Sequence, residues 1–169
     1  MSKERFKSLR DLFEFEIRDL YSAELQLEKA LPKMAETASN KELQKSFKLH
    51  LEQTKEQRER LEKIGEICDF SVKGSTCEAM KGLIKEGDEI IESKADAPIK
   101  DAALISASQR VEHYEIAAYG TVRNFAERLG YDDVADLLQT TLDQEKETDE
   151  KLNKLAVEKI NQAAVKASE

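Results

Sequence analysis

The sequence predicts an all-α four-helix bundle, and three observations predict it. Charged residues make up 37% of the 169, hydrophobic ones 40%, Trp is absent, and only two prolines and six glycines interrupt the chain. A composition rich in Glu, Lys, Leu and Ala is one of helices rather than sheet. Apolar residues recur at the helical period through long stretches. Those stretches fall into two pairs, separated by a connector too long for a hairpin and long enough to span a bundle.

The first helix is expected from about Arg5 to Ala38, on the stripe Phe6, Leu9, Phe13, Ile17, Leu20, Glu24, Leu27, Leu31 and Met34. Pro32 should kink it or leave a carbonyl unpaired. "ASNKEL" then offers Ser39 or Asn40 as an N-cap. The second helix runs to about Cys68 on Leu43, Phe47, His50, Thr54, Gln57, Leu61 and Ile64. A crossover of about 69–97 follows, with a loop at "DFSVKGST", Thr76 as a candidate cap, and a short helix near 77–94 bearing Met80, Leu83, Ile84, Ile90 and Ile91. Pro98 suits a first helical turn, and the third long helix should stop before Gly130. The fourth starts near Asp132 or Asp133, reaches about Asn161 and leaves a frayed tail of about 162–169. The whole chain, 1–169, reads as a single domain whose second helical pair is inserted antiparallel to the first, up-down-down-up.

Bulk properties narrow the partners. A net charge of −8, with basic residues interleaved among acids, argues against nucleic acid. No apolar run approaches a membrane span, and "MSKERFKSLRDLF" lacks the apolar core of a secretory signal, so the cytoplasm is expected. Cys68 and Cys77 have no metal-type spacing and read as reduced thiols.

The informative feature is a polar belt. The second helix carries His50, Thr54 and Gln57 where its stripe should be apolar, and the fourth carries Thr141, Glu145 and Thr148 between Leu138 and Leu152. The first breaks its stripe at Glu24 and the third at Glu112 and Glu115. A shift that sets "HLEQTKEQRERL" on "TLDQEKETDEKL" also sets Glu24 on Glu115, so the breaks fall near one level. One carboxylate in a low-dielectric core carries a penalty of several kcal/mol, and no Lys or Arg occupies the central positions of the stripes. Three compensations are open: a bound cation using carboxylate oxygens and the His50 imidazole, protonated acids sharing hydrogen bonds, or water in a polar cavity. In the inferred arrangement Glu24, Thr54, Glu115 and Glu145 share the middle layer, with His50, Glu112 and Asp149 one turn to one side. Two adjacent metal positions bridged by Glu115 or Glu145 fit that set. Asp149 lies off the strict stripe and His113 beside it, while Tyr21, Tyr114 and Tyr119 read either as radical or proton-relay groups near a metal or, as is usual on a helix shoulder, as packing with their hydroxyls at the edge.

"DLYSAELQLEKALPKM", "HLEQT", "DAALISASQRVEHYEIAAYGT" and "LDQEKETDEKL" resemble the bacterial YciE/YciF-like proteins, a branch of the ferritin-like superfamily. The resemblance covers nearly the whole chain. It implies a ferritin-like bundle, a homodimer, a di-iron-type carboxylate site and a part in stress responses. Ferritin-like sites take a Glu from two helices and Glu-x-x-His from the other two, whereas this chain has Thr54 and Gln57, and Glu145 and Thr148, at the latter positions. His50, one turn earlier, stands in as a ligand.

Two function classes follow. The first is a bacterial stress protein with Glu24, His50, Glu112, Glu115 and Glu145 holding iron or manganese, two ions per chain, and acting on a small oxidant or handling metal. The second is a non-enzymatic dimeric helical protein whose polar core site is vestigial and specifies register. Ile90 and Ile91 on the crossover helix are the residues that motivate a dimer.

Overall fold

The computed structural model describes residues 6–167, and among these there are helices and no strands. Four long helices, α1 (Leu9–Thr37), α2 (Lys41–Ile67), α4 (Ala97–Leu129) and α5 (Asp132–Leu155), form the bundle. The crossover carries α3 (Glu78–Glu92), and α5 passes through a π-helical turn (Ala156–Ile160) into a last short helix, α6 (Asn161–Lys166). Among the described residues no helix is long and apolar enough to cross a membrane.

The directions follow from two apolar clusters. One joins Leu27, Leu31 and Met34 near the end of α1 to Leu43 and Phe47 at the start of α2, Leu104 and Ile105 early in α4, and Leu152 and Leu155 late in α5. The other joins Phe13, Ile17 and Leu20 to Leu61 and Ile64, Val122 and Ala126, and Val134 and Leu138. So α1 and α5 run one way and α2 and α4 the other, up-down-down-up. Between the clusters lies the polar belt.

Local chemistry sets the helix ends. Ser8 Oγ accepts from Asp11 N (3.1 Å), and Asn40 Oδ1 accepts from Glu42 N and Leu43 N (2.9 and 3.1 Å). Pro98 sits in the first turn of α4, and Gly130 ends that helix at φ +75°, a left-handed conformation that glycine adopts without a Cβ penalty. Ser39, the other candidate cap, turns to α4 instead. The buried Asp101 carboxylate accepts from Ser39 N (2.8 Å), Ser39 Oγ (2.5 Å) and Asn40 N (2.9 Å), fixing the α1–α2 turn to the start of α4. Asp101→Asn places an amide donor against these donors and is expected to lower stability by about 1 kcal/mol, read from the urea midpoint.

Several expectations need correction. The first helix begins at Leu9, Arg5 lies outside the described residues, and Phe6 and Leu9 are 46% and 37% exposed rather than core. Their part of the stripe precedes the segment that α2, α4 and α5 cover. α1 continues through Pro32, whose missing N–H leaves the Glu28 carbonyl without its helical donor, as expected. Cys77, not Thr76, caps α3, its thiol accepting from Met80 N (3.4 Å). The tail expected to fray is helical through Lys166; only 168–169 lie outside the described residues. Leu155 and Ile160 are both buried although five positions apart. The wider π turn is what brings that spacing onto one face. Ile90 and Ile91 pack against the apolar cluster of their own chain. Both cysteines are free thiols.

Candidate metal centre

Each long helix delivers its stripe break to the middle of the bundle. Glu24 from α1, His50 from α2, Glu112 and Glu115 from α4 and Glu145 from α5 are at most 2% exposed. Helical spacing explains α4: positions three apart share a face, so Glu112 and Glu115 both point inward. Ligand atoms of His50, Glu112, Glu115 and Glu145 lie within 4.8 Å of one another. His50 Nδ1 is 3.2 Å from Glu112 Oε1 and Nε2 is 3.8 Å from Glu145 Oε2, spanning the bundle between α4 and α5. The Glu24 carboxyl faces Glu115 and feels Glu145 as well. All five residues singled out in the sequence therefore meet in one place.

The electrostatics are those of acids crowded away from water. Burial raises the carboxyl pKa of Glu24, Glu112 and Glu115 well above the ordinary range, and the Glu145 charge raises all three further. Burial lifts Glu145 to about 7, against the lowering effects of the neighbouring Glu112 and Gln57 side chains and the Arg60 charge. Burial depresses His50 to about 4, leaving a neutral imidazole at physiological pH. Few protein donors relieve the acids. Tyr119, itself fully buried, donates a short hydrogen bond to Glu24, and Ser108 Oγ donates to Glu112 Oε1 (3.3 Å). Glu24 Oε2, Glu112 Oε2, both oxygens of Glu115 and Glu145, both nitrogens of His50, Thr54 Oγ1 and Gln57 Oε1 have no hydrogen-bond partner among the described residues. Nearly all buried polar groups in folded proteins are partnered, so a concentration of this kind in one layer marks a place for a ligand.

Other belt residues fall elsewhere. Asp149 is half-buried and accepts from Gln109 (3.1 Å) while pairing with the exposed His113 (3.2 Å), away from the centre. Tyr21 donates to Glu62 (2.8 Å) and Tyr114 to Asp19 (2.5 Å). Sequence reasoning missed one functional neighbour, Arg60, and favoured the wrong one of two readings of another, Tyr119. Tyr119 is not edge packing but a proton donor to Glu24. The signal was its place four residues after Glu115, hence on the same inward face. Arg60 lies off the α2 stripe, yet its guanidinium reaches inward to Thr141 Oγ1 (3.1 Å) and Gln144 Oε1 (2.7 Å).

The donor set fits a metal. Four carboxylates and one neutral imidazole, preassembled on four rigid helices, are oxygen and nitrogen ligands of the kind that suit manganese and iron, and a cation would neutralise acids that no lysine or arginine among the described residues pairs directly.

Comparison with known proteins agrees with this architecture. Residues 8–165 match the family described as a domain of unknown function, DUF892. Protein YciF of Escherichia coli (strain K12) is 47% identical over 159 residues, covering 94% of this chain and 96% of that protein. The crystal structure of the E. coli stress protein YciF superposes with a TM-score of 0.89, over 92% of this chain and 99% of that one. YcfI of Rhodopseudomonas palustris gives 0.86 at 44% identity, covering 90% and 97%. A protein of Xanthomonas campestris pv. campestris shares the fold at 22% identity, with a TM-score of 0.76 over 95% and 97% of the two chains.

Proposed function

This chain belongs to the DUF892 family and is YciF-like in sequence and fold, and from that premise we propose that it is a stress protein holding a di-metal carboxylate centre of iron or manganese. The observation that carries the reading is the set of unpartnered buried oxygens and nitrogens on Glu24, His50, Glu112, Glu115 and Glu145. Those five side chains would hold the metal. A bound pair of redox-active ions supplies electron exchange with a small oxidant, hydrogen peroxide or dioxygen.

The chain's own residues do the rest. The apolar clusters above and below the belt keep bulk water from the centre, which strengthens every charge interaction within it. His50 offers an unprotonated nitrogen without a metal having to displace a proton from it. Tyr119 keeps its proton on its hydroxyl, held against Glu24 at the edge of the centre.

The second reading, a helical structural protein with a polar core, is favoured by the raised carboxyl pKa values: neutral acids with Tyr119 and Ser108 as donors can persist without a cation. Metal analysis of protein purified without chelators separates the two. Near-stoichiometric iron or manganese, lost in both Glu24→Ala and Glu115→Ala, is expected. EDTA should lower the melting temperature of the loaded protein, because a ligand bound only by the folded state stabilises it by linkage. Metal content that is unchanged by removal of these carboxylates overturns the metal centre.

A further inference from the structure

The walls around the centre differ in kind. The α1/α4 face is covered by α3, whose Leu83, Ile84 and Ile91 pack over Leu27, Met34 and Val111. The α1/α2 face is closed by a network in which Arg58 bonds Glu28 (2.5 Å) and Glu62 (3.0 Å). Between α4 and α5, Gln109 and His113 both bond the Asp149 carboxylate. Among the described residues, the α2/α5 seam instead presents neutral hydroxyls and amides next to the centre, with a charged pair only at its outer end.

That seam has an inner and an outer end. At the inner end Thr54 and Gln57 are buried, and Thr54 Oγ1 and Gln57 Oε1 have no partner among the described residues. Buried oxygens of that kind are normally satisfied by water. Further out, Gln57 Nε2 donates to Gln144 Oε1 (3.3 Å). At the outer end the Arg60 guanidinium, 19% exposed, bridges Thr141 and Gln144 and donates outward to Glu56 (3.3 Å). Arg60 is thus held by Thr141 and Gln144 on the seam side and by the exposed Glu56 on the solvent side at once.

We propose that the α2/α5 seam is the route by which small uncharged hydrogen-bonding solutes, water and hydrogen peroxide, reach the carboxylate cluster, and that Arg60 is the positioning residue that closes its outer end. Charge sets the selectivity. A cation meets the guanidinium at the mouth, an anion meets carboxylates at the bottom, and either must shed its hydration between them. A neutral solute exchanges one hydroxyl or amide partner for the next at little cost. It follows that a metal ion does not use this route. The proposal rests on the cluster being a reactive centre, but its test does not need a metal.

The chain has only two histidines, so selective ¹⁵N-histidine labelling reports His50 in the centre and the exposed His113 as an internal control. On chelator-treated full-length protein, hydrogen exchange of the His50 ring N–H into heavy water measures access to the centre. Thr141→Val, nearly isosteric, should slow it several-fold, and Arg60→Ala should speed it several-fold, with Arg60→Lys between wild type and Arg60→Ala. A purely structural role moves both variants the same way, through stability, and melting curves record that separately. A crystal structure of the unmodified protein should show ordered waters on Thr54 and Gln57 leading to Thr141. Exchange that is indifferent to both variants, or a dry seam, overturns the route. Failure to bind any metal overturns the proposed function and leaves the exchange pattern to decide the route on its own.

Discussion

Glu115→Leu is expected to raise the melting temperature of the metal-free protein while abolishing metal uptake. Both Glu115 oxygens are buried without a hydrogen-bond partner, and Glu24, Glu112 and Glu145 crowd them. Ionised, the group carries an uncompensated desolvation penalty. Protonated, it is still a buried polar group with nothing to bond, at about 1–3 kcal/mol. Leucine occupies a similar volume and removes the cost in either state. Replacing buried ionic groups by apolar ones of like shape commonly stabilises by about 1–4 kcal/mol. For a domain of this size that is several degrees, at about 2–4 °C per kcal/mol. Calorimetry in EDTA, with metal analysis of unchelated protein alongside, checks both halves. A lower melting temperature in the metal-free variant would mean that the Glu115 oxygens are satisfied in the folded protein, and the centre would lose its main support. The opposite signs are the point: a site kept at the expense of stability is kept for what it binds.

Periodicity made the fold legible because each stripe states which face of a helix is buried, and the two apolar clusters contain nearly the residues that the stripes name. The same signal located Glu24, His50, Glu112, Glu115 and Glu145, since a charged residue in an apolar register has nowhere else to go. What periodicity does not encode is reach. Arg60 lies off its stripe, and only the length of its side chain carries it across to Thr141. Asp149 is one residue from the buried Thr148, and its carboxylate instead turns to Gln109. Cys77 caps α3 because its amide is tied to Ser22 Oγ (2.9 Å), a long-range contact that leaves no local pattern. The π turn was hidden for a related reason: a helical template reads Leu155 and Ile160 as facing apart, and tertiary burial of both made the chain widen its coil.

Without metal, the protein is expected to lose stability as pH rises from about 5 to 8, the reverse of the usual acid-side loss. Glu145 titrates near 7 in the folded chain, and Glu24, Glu112 and Glu115 are also held above their ordinary value of 4.5. A carboxyl whose folded pKa is raised contributes stability that is fully present below its unfolded pKa and disappears as pH climbs through the folded one. Each such group removes about 1.4 kcal/mol per pH unit within its window. His50 works against this, because its folded pKa is depressed to about 4 from 6.5. Its contribution is complete above 6.5 and lost as pH falls toward 4, so between about 4.5 and 6.5 it offsets one carboxyl of the four. Above 6.5 that offset ends, and the decline should steepen through 7. Urea midpoints in EDTA at pH 5, 6, 7 and 8 measure it, and a midpoint that climbs with pH would show the acids to be paired in the folded state. Loaded protein should behave oppositely, since metal competes with protons for the same oxygens and binds more tightly as they leave. The two stability curves therefore diverge with rising pH, and their separation measures how far a cation, rather than a proton, is the natural counter-charge of this core.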